Sequence, residues 1–229
     1  QMEAMTLSSD ICLINNGVLQ QYEHPLTIYS HPNNLFAADF VGNPSINFIE
    51  ARGTQNADGS FDLTILNGLK VRFSGKDVPN FGNWLSDLNA GTEAEAAKLR
   101  EMTARKNYVE KQNRDEVFRY HIARVDEGDD LMQEEPVLTD EDFVIGVRPE
   151  FIAIHENGKI AGEIYGAMPT GMESTVKIRV GDFLLTGVVF GSTLFRIGTR
   201  VDMDFVGDNI SLFHRKSGRI IGLGSLDFE

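Results

Sequence analysis

The sequence predicts a mainly β protein, a small barrel or sandwich with a helical insertion, preceded by a hairpin and two short helices. Three observations predict it. Short apolar segments with a period of two recur from residue 46 to the C-terminus, separated by glycine turns. Between about residues 79 and 142 that pattern gives way to charged, helix-favouring chain. The first 44 residues carry proline and helix-end signals that the rest lacks.

Residues 10–15 and 18–21 read as strands around Asn16-Gly17, a pair that accepts the positive φ of a tight hairpin turn. Pro25 opens a turn of helix through Tyr29, and Pro32 stops it. Residues 34–41 then place Leu35, Ala38 and Val41 on one helical face before Gly42 ends the helix and Asn43-Pro44 extends the chain. Residues 46–52, 61–66 and 69–74 are strands, the last two joined by Asn67-Gly68. In the stretch 79–124, Thr92 and Glu95 read as a capping box. Glu101 with Arg105 and Glu110 with Arg114 are favourable i,i+4 pairs, and Leu99, Met102 and Val109 form a sparse apolar stripe. This is either a solvated helical insertion laid on the β region or an arm for a partner. Residues 126–142 hold nine acidic residues and no basic one, without the spacing of a calcium loop, and read as a solvated loop.

Strands return at 143–148, 151–155, 174–180, 183–190, 200–206 and 210–214, with Gly181-Asp182 as a hairpin turn. Val176, Ile178 and Val180 alternate with Lys177 and Arg179, the mark of one buried and one wet face. Many short strands with glycine turns suit an OB-type barrel in size. Phe36, Phe40 and Phe48 are expected in the core rather than at an interface.

Composition narrows the function. With 21 Lys plus Arg against 34 Asp plus Glu, the formal charge of -13 repels phosphate backbones, so nucleic acid is not an expected partner. No stretch approaches the ~20 apolar residues of a bilayer span, and QMEAMTLSSD lacks a signal peptide's pattern, so a soluble chain is expected. Cys12, the single cysteine, sits in the run ICLI and is expected buried and inert. No phosphate-cradling G-x-x-x-x-G-K-[ST] loop occurs, and the Gly222-Leu223-Gly224 run is no substitute. His155-Glu156 has no second histidine at zinc-protease spacing, and no G-x-S-x-G frames a serine. No catalytic, cofactor-binding or metal site is expected.

Gln1, Glu3, Ala4, Met5 and Leu7, then Gly17, Gln21, Pro25, Tyr29 and Pro32, then Phe36, Ala38, Phe40, Gly42 and Asn47 fall in a telling order. Together they resemble the passage from the nucleotide-binding domain into the C-terminal regulatory domain of ATPase subunits of ABC importers, of the maltose and glycerol-phosphate type. Arg148, Pro149 and Glu150 after FVIGV are similar to that family's R-P-E signature. Ser9-Asp10, Glu23 and Thr27 depart from it, where the family usually has Asp-Arg, glycine and glutamate.

The resemblance implies that residues 1–44 are the end of a nucleotide-binding domain. Residues 45–229 would be an OB-like (TOBE) regulatory domain with a helical and acidic insertion at about 79–142. The phosphate loop, signature sequence and catalytic glutamate would lie upstream of Gln1, so that this part does no chemistry while the longer parent uses ATP and Mg. The parent would sit peripherally on the cytoplasmic face of the membrane. Its implied partners are a second copy, permease subunits reached through the nucleotide-binding domain, and a regulatory protein or small molecule.

Candidate subunit-contact or regulatory residues on this reading are Arg148, Glu150, Asn43, Asn47, Gly166 and Gly171. Arg148 and Glu150 suit pairing across a dimer axis, with a local turn cap or a pair within the subunit as the other possibility. Gly166 and Gly171 bracket Met168-Pro169 in an expected loop, for turn geometry or ligand contact. An alternative function is an OB-type small-molecule or oxyanion binding module, which an enclosed, Arg-lined pocket would favour.

Overall fold

In the computed structural model the described residues are 2–103, 118–125, 137–191 and 193–228, and they are mainly β. The chain opens with α1 (Met2–Leu7), the hairpin β1 (Ile11–Asn15) and β2 (Val18–Glu23), α2 (Pro25–Ser30) and α3 (Leu35–Phe40). Next come β3 (Asn47–Gln55), β4 (Phe61–Ile65), β5 (Leu69–Ser74) and α4 (Phe81–Thr103). After β6 (Asp142–Val147) a one-turn 3-10 helix (Pro149–Phe151) leads into β7 (Ile152–Ile154). The remaining strands are β8 (Ile160–Pro169), β9 (Glu173–Val180), β10 (Phe183–Phe190), β11 (Arg200–Phe205), β12 (Ile210–His214) and β13 (Ile220–Phe228).

Two sheets, rather than one barrel alone, carry the β region. Six antiparallel strands close as β12-β13-β5-β4-β3-β6, while five more run β10-β9-β8-β11-β7. The second sheet curls until Gly187 of β10 lies against Ile152 of β7. Both share one apolar core in which Phe61, Phe73 and Phe143 of the barrel and Ile164, Ile178 and Met203 of the second sheet are fully buried. Each such side chain contributes about 1.5–3 kcal/mol by leaving water. On the barrel's outside, Leu35 and Ala38 of α3 cover Phe48, Val144 and Phe213, which explains why β6 and β12 are apolar on both faces.

Local chemistry explains the N-terminal elements. Asn16 and Gly17 turn the first hairpin at φ 50° and 77°. The Asn34 side chain accepts the Ala37 N–H at 2.9 Å and caps α3, with Val41 and Gly42 ending it. Cys12 is exposed, not buried: Leu13 faces inward, so its neighbours Cys12 and Ile14 take the other face of a two-stranded sheet that nothing covers among the described residues.

The insertion begins differently from the sequence expectation. Asn80 Oδ1 accepts the Asn83 N–H at 3.1 Å and starts α4, whereas Thr92 lies mid-helix, its hydroxyl donating to the Leu88 carbonyl at 3.0 Å. The capping box of Thr92 and Glu95 is therefore not formed. Phe81 and Trp84 dock the helix on one end of the barrel, and residues 91–97 are all exposed. The pairs of Glu101 with Arg105 and Glu110 with Arg114, the stripe of Leu99, Met102 and Val109, and the acidic residues 126–136 lie outside the described side chains.

Strands β8 and β13 are absent from the sequence reading because glycines interrupt them. Gly224 of β13 serves close backbone approach: a Cβ there would stand 2.3 Å from the Ser74 carbonyl oxygen of β5. Gly166 and Met168-Pro169 lie within β8, beside a register shift between Ile164 and Gly166, so the expected loop is a strand. Gly171, at φ 101°, makes the turn into β9. Phe40 is 48% exposed and stacks on Phe36 at 5.5 Å, so only Phe48 of the three phenylalanines is fully in the core.

A contrast between glycines tests this account. Gly224→Ala forces backbone against backbone and is expected to lower stability by about 3 kcal/mol or more. Gly166→Ala, whose Cβ would meet only Lys177 Cβ at 4.0 Å, is expected to shift it by less than about 1 kcal/mol. Urea-unfolding midpoints of the two variants measure the difference, and equal midpoints would contradict the packing argument.

Candidate functional site

Arg148 follows β6 directly and turns its side chain beneath α2 and α3, where it is only 3% exposed. Nη1 donates to the carbonyls of Ala38, at 3.1 Å, and Val41, while Nη2 donates to the Tyr29 carbonyl at 2.9 Å. These carbonyls belong to the last turn of α2 and to the end of α3, where no intrahelical N–H can reach them. One planar fork thus caps two helix ends, a task that suits guanidinium and no other side chain. Gly42 is required beside it: its φ is +130°, and a Cβ there would lie 2.8 Å from Nη1.

The surroundings keep the buried cation charged. Its carbon Cζ lies 4.1 Å above the Tyr29 ring, and the Tyr29 hydroxyl donates to Glu150 Oε1 at 2.6 Å. Burial pulls the guanidinium pKa down, while Tyr29, Glu150 and Asp39 push it back up. Burial also raises the Asp39 carboxyl, against the opposing pull of Arg148 and His121. The Tyr29 phenol is raised by burial and then by its bond to Glu150, so it stays protonated as a donor.

Asn47 forms the second tie at this place. Its register partner is Val147, the residue before Arg148. The amide Nδ2 donates to the Val147 carbonyl at 3.0 Å and the Thr186 carbonyl at 2.9 Å, and Oδ1 accepts the Thr186 N–H at 2.7 Å. A single buried amide thereby joins the barrel to the edge of β10. Of the sequence candidates, Arg148, Glu150 and Asn47 meet at this joint. Asn43 is exposed, beyond Gly42 and before a cis proline, and Gly166 and Gly171 lie in the β8–β9 hairpin. Arg148 directs its donors to the carbonyls of Tyr29, Ala38 and Val41.

Sequence reasoning missed the segment 118–125, which straps the joint from outside. Phe118 meets Phe36 edge-on at 5.4 Å, and Tyr120 packs on Phe48 at 5.3 Å. The Tyr120 hydroxyl reaches Glu50 Oε1 at 3.3 Å, and Glu50 in turn pairs with Arg215. Further on, the Ala123 carbonyl accepts the Leu184 N–H at 2.8 Å, and Val125 N–H donates to the Asp182 carbonyl at 3.0 Å. The alternation of F-R-Y-H-I was the available signal.

A groove of about 620 Å³ opens on another side, between His31–Asn33, Ser74–Asp77, Asp208 and the start of β13. Among the residues that line it and a 40 Å³ cavity beside Asn47 there is no arginine; the groove's cation is Lys76. Among the described residues no set of three His, Cys, Asp or Glu side chains is placed to hold a metal, and no helix is long and apolar enough to cross a membrane. Asp77 and Asp208 line the groove together with Lys76.

No protein-family model matches the chain. Curated relatives do. The trehalose/maltose import ATP-binding protein MalK of Thermococcus litoralis is 28% identical over 229 aligned positions, covering 96% of this chain and 46% of that protein. The sn-glycerol-3-phosphate import ATP-binding protein UgpC of Ruegeria pomeroyi is 37% identical over 75 residues, 33% of this chain and 20% of its own length. An uncharacterized ABC transporter ATP-binding protein, YcjV of Escherichia coli O157:H7, is 45% identical over 58 residues, 25% of this chain and 16% of its own. All three are ATP-binding proteins of transporters, two of them of importers for trehalose/maltose and sn-glycerol-3-phosphate, and the chain spans less than half the length of each.

The joint makes a direct prediction. Arg148→Met removes the shared cap and strands the carbonyls of Tyr29, Ala38 and Val41, at a cost on the order of 3 kcal/mol. Amide hydrogen exchange is expected to show lost protection at Val41, whose N–H bonds Ala37, while β4 and β5 keep theirs. Tyr29→Phe, which deletes one bond to Glu150, is expected to cost about 1 kcal/mol. Unchanged protection at Val41 in Arg148→Met would remove the clamp from this account.

Proposed function

We propose that this chain is the noncatalytic regulatory and subunit-joining part of the ATP-binding subunit of an ABC-type importer for sugars or related solutes. The alignment with an import ATP-binding protein along 96% of this chain carries the reading. Residues 1–44 are, on this reading, the end of a nucleotide-binding domain and residues 45–229 a TOBE-type regulatory domain. ATP and Mg act in the longer protein, a peripheral component at the cytoplasmic face that engages permease subunits and a second copy.

The chemistry of such a part is mechanical. A contact between regulatory domains that persists while the nucleotide sites open keeps the two subunits at high effective concentration, so reclosure is intramolecular. Any force exchanged between the two parts must pass through the place where the helices meet the barrel. Arg148 stiffens that place by holding α2 and α3 to the end of β6, and Asn47 extends the hold to the second sheet. A regulator that prefers one arrangement of the joint shifts the open-closed balance by its differential affinity. The ~620 Å³ groove supports a second reading, an OB-type small-molecule module, in which a ligand there supplies that bias.

Sedimentation velocity across a concentration series tests the subunit-joining role. The expected outcome is a concentration-dependent shift from monomer to dimer, with no nucleotide needed. A sedimentation coefficient that stays at the monomer value up to roughly 1 mM would retire the joining role, since so weak a contact contributes less than about 4 kcal/mol.

A further inference from the structure

His214, the last residue of β12, is 2% exposed and sits where α4 meets the barrel. The Phe81 and Trp84 rings of α4 close over it edge-on, with centroids at 5.8 and 5.6 Å. Its Nδ1 bonds the Ser217 hydroxyl at 2.9 Å, but Nε2 has no hydrogen-bond partner. The nearest acceptor, Asp140 Oδ1, is 3.5 Å away: too poorly placed for a bond, close enough to attract an imidazolium. Among the described residues this buried nitrogen faces a carboxylate without a hydrogen bond, which is costly for a neutral ring at the docking point of the helical arm.

We propose that His214 is an acid-sensitive latch: the neutral imidazole holds the start of α4 on the barrel, and protonation releases the helical arm. A neutral ring suits an apolar aromatic slot, whereas an imidazolium must be solvated or paired. The charged groups that act on it come from three sides. Asp140 precedes β6, Asp142 begins it, and Lys216 lies in the turn after β12, while the residues that α4 itself brings against the ring, Phe81 and Trp84, carry no charge. Burial is the largest effect and lowers the His214 pKa; Lys216 adds to it, and Asp140 and Asp142 oppose it without overcoming it.

The sign follows. Docked, the ring titrates below its ordinary value; released, it returns to about 6.5. The released state therefore binds more protons as the pH falls below 6.5, and the docked fraction declines by up to about tenfold per pH unit until the docked ring itself titrates. The latch concerns the arm alone and stands whether or not the importer reading holds. Its release leaves the shared core of the two sheets in place, because among its described residues α4 contributes to that core through Phe81 and Trp84 at the rim.

Trp84 is the only tryptophan in the chain, so its fluorescence reports this contact alone. In the intact 229-residue chain, the emission is expected to shift to the red between about pH 6.5 and pH 5, while far-UV circular dichroism keeps its β signal. His214→Gln, which cannot take up a proton, is expected to abolish the transition. Two further variants leave the histidine in place and read the sign. Asp140→Asn removes an attraction for the docked imidazolium and is expected to raise the release midpoint by up to about half a pH unit, and Lys216→Ala to lower it by a similar amount. The proposal is overturned by a flat titration, by a transition that survives in His214→Gln, by midpoints that ignore Asp140 and Lys216, or by loss of the β signal at the same midpoint.

Discussion

Helices as short as α2 and α3, six residues each, do not hold themselves together. Nucleation costs more than so few hydrogen bonds return, so their stability must come from outside the helix. Arg148 supplies it by satisfying carbonyls of both helices with one side chain, from a position fixed by the end of a barrel strand. The rest of the joint follows from that constraint. Gly42 leaves room for the fork, Tyr29 lies against its face, and Glu150, two residues on, holds the Tyr29 hydroxyl.

Much of this was legible in the residues, for reasons that differ between elements. Hairpin turns at Asn16-Gly17 and Gly181 announce themselves because positive φ restricts the choice of residue. β5 alternates apolar with polar residues while β10 and β12 are mostly apolar runs, each bounded by turn residues, and their observed limits are those the sequence predicts. β8 and β13 are hidden because their glycines, of which Gly224 is set against the backbone of β5, erase the apolar period. Thr92 with Glu95 misled because a capping box is a local pattern, whereas the helix start was decided about three turns earlier by Asn80 and by the packing of Phe81. Arg148 and Asn47 were visible as candidates, but their partners lie 100 or more residues away in the chain and only the fold brings them together.

The placement of Cys12 and Phe40 illustrates the same limit. An apolar run such as ICLI implies burial only where both faces of a sheet are covered. In a two-stranded hairpin, parity decides, and Leu13 takes the single inward position. Phe40 ends a helix whose buried face is already filled by Leu35, Ala37 and Ala38, so its ring rests on Phe36 instead.

An apolar residue at position 148 would pack in the same volume and avoid the desolvation of a cation, which is why buried charge is weak evidence for stability as such. What such a residue lacks is direction. Three carbonyls from two helices converge on the guanidinium, and its planar donors accept them only over a narrow range of helix positions relative to β6. The Asn47 amide does the same between β3, β6 and β10, using Nδ2 twice and Oδ1 once. Both ties meet at the Val147–Arg148 link, so the position of the helices on the barrel and the position of the second sheet are set by directional bonds at two adjacent residues rather than by apolar packing alone.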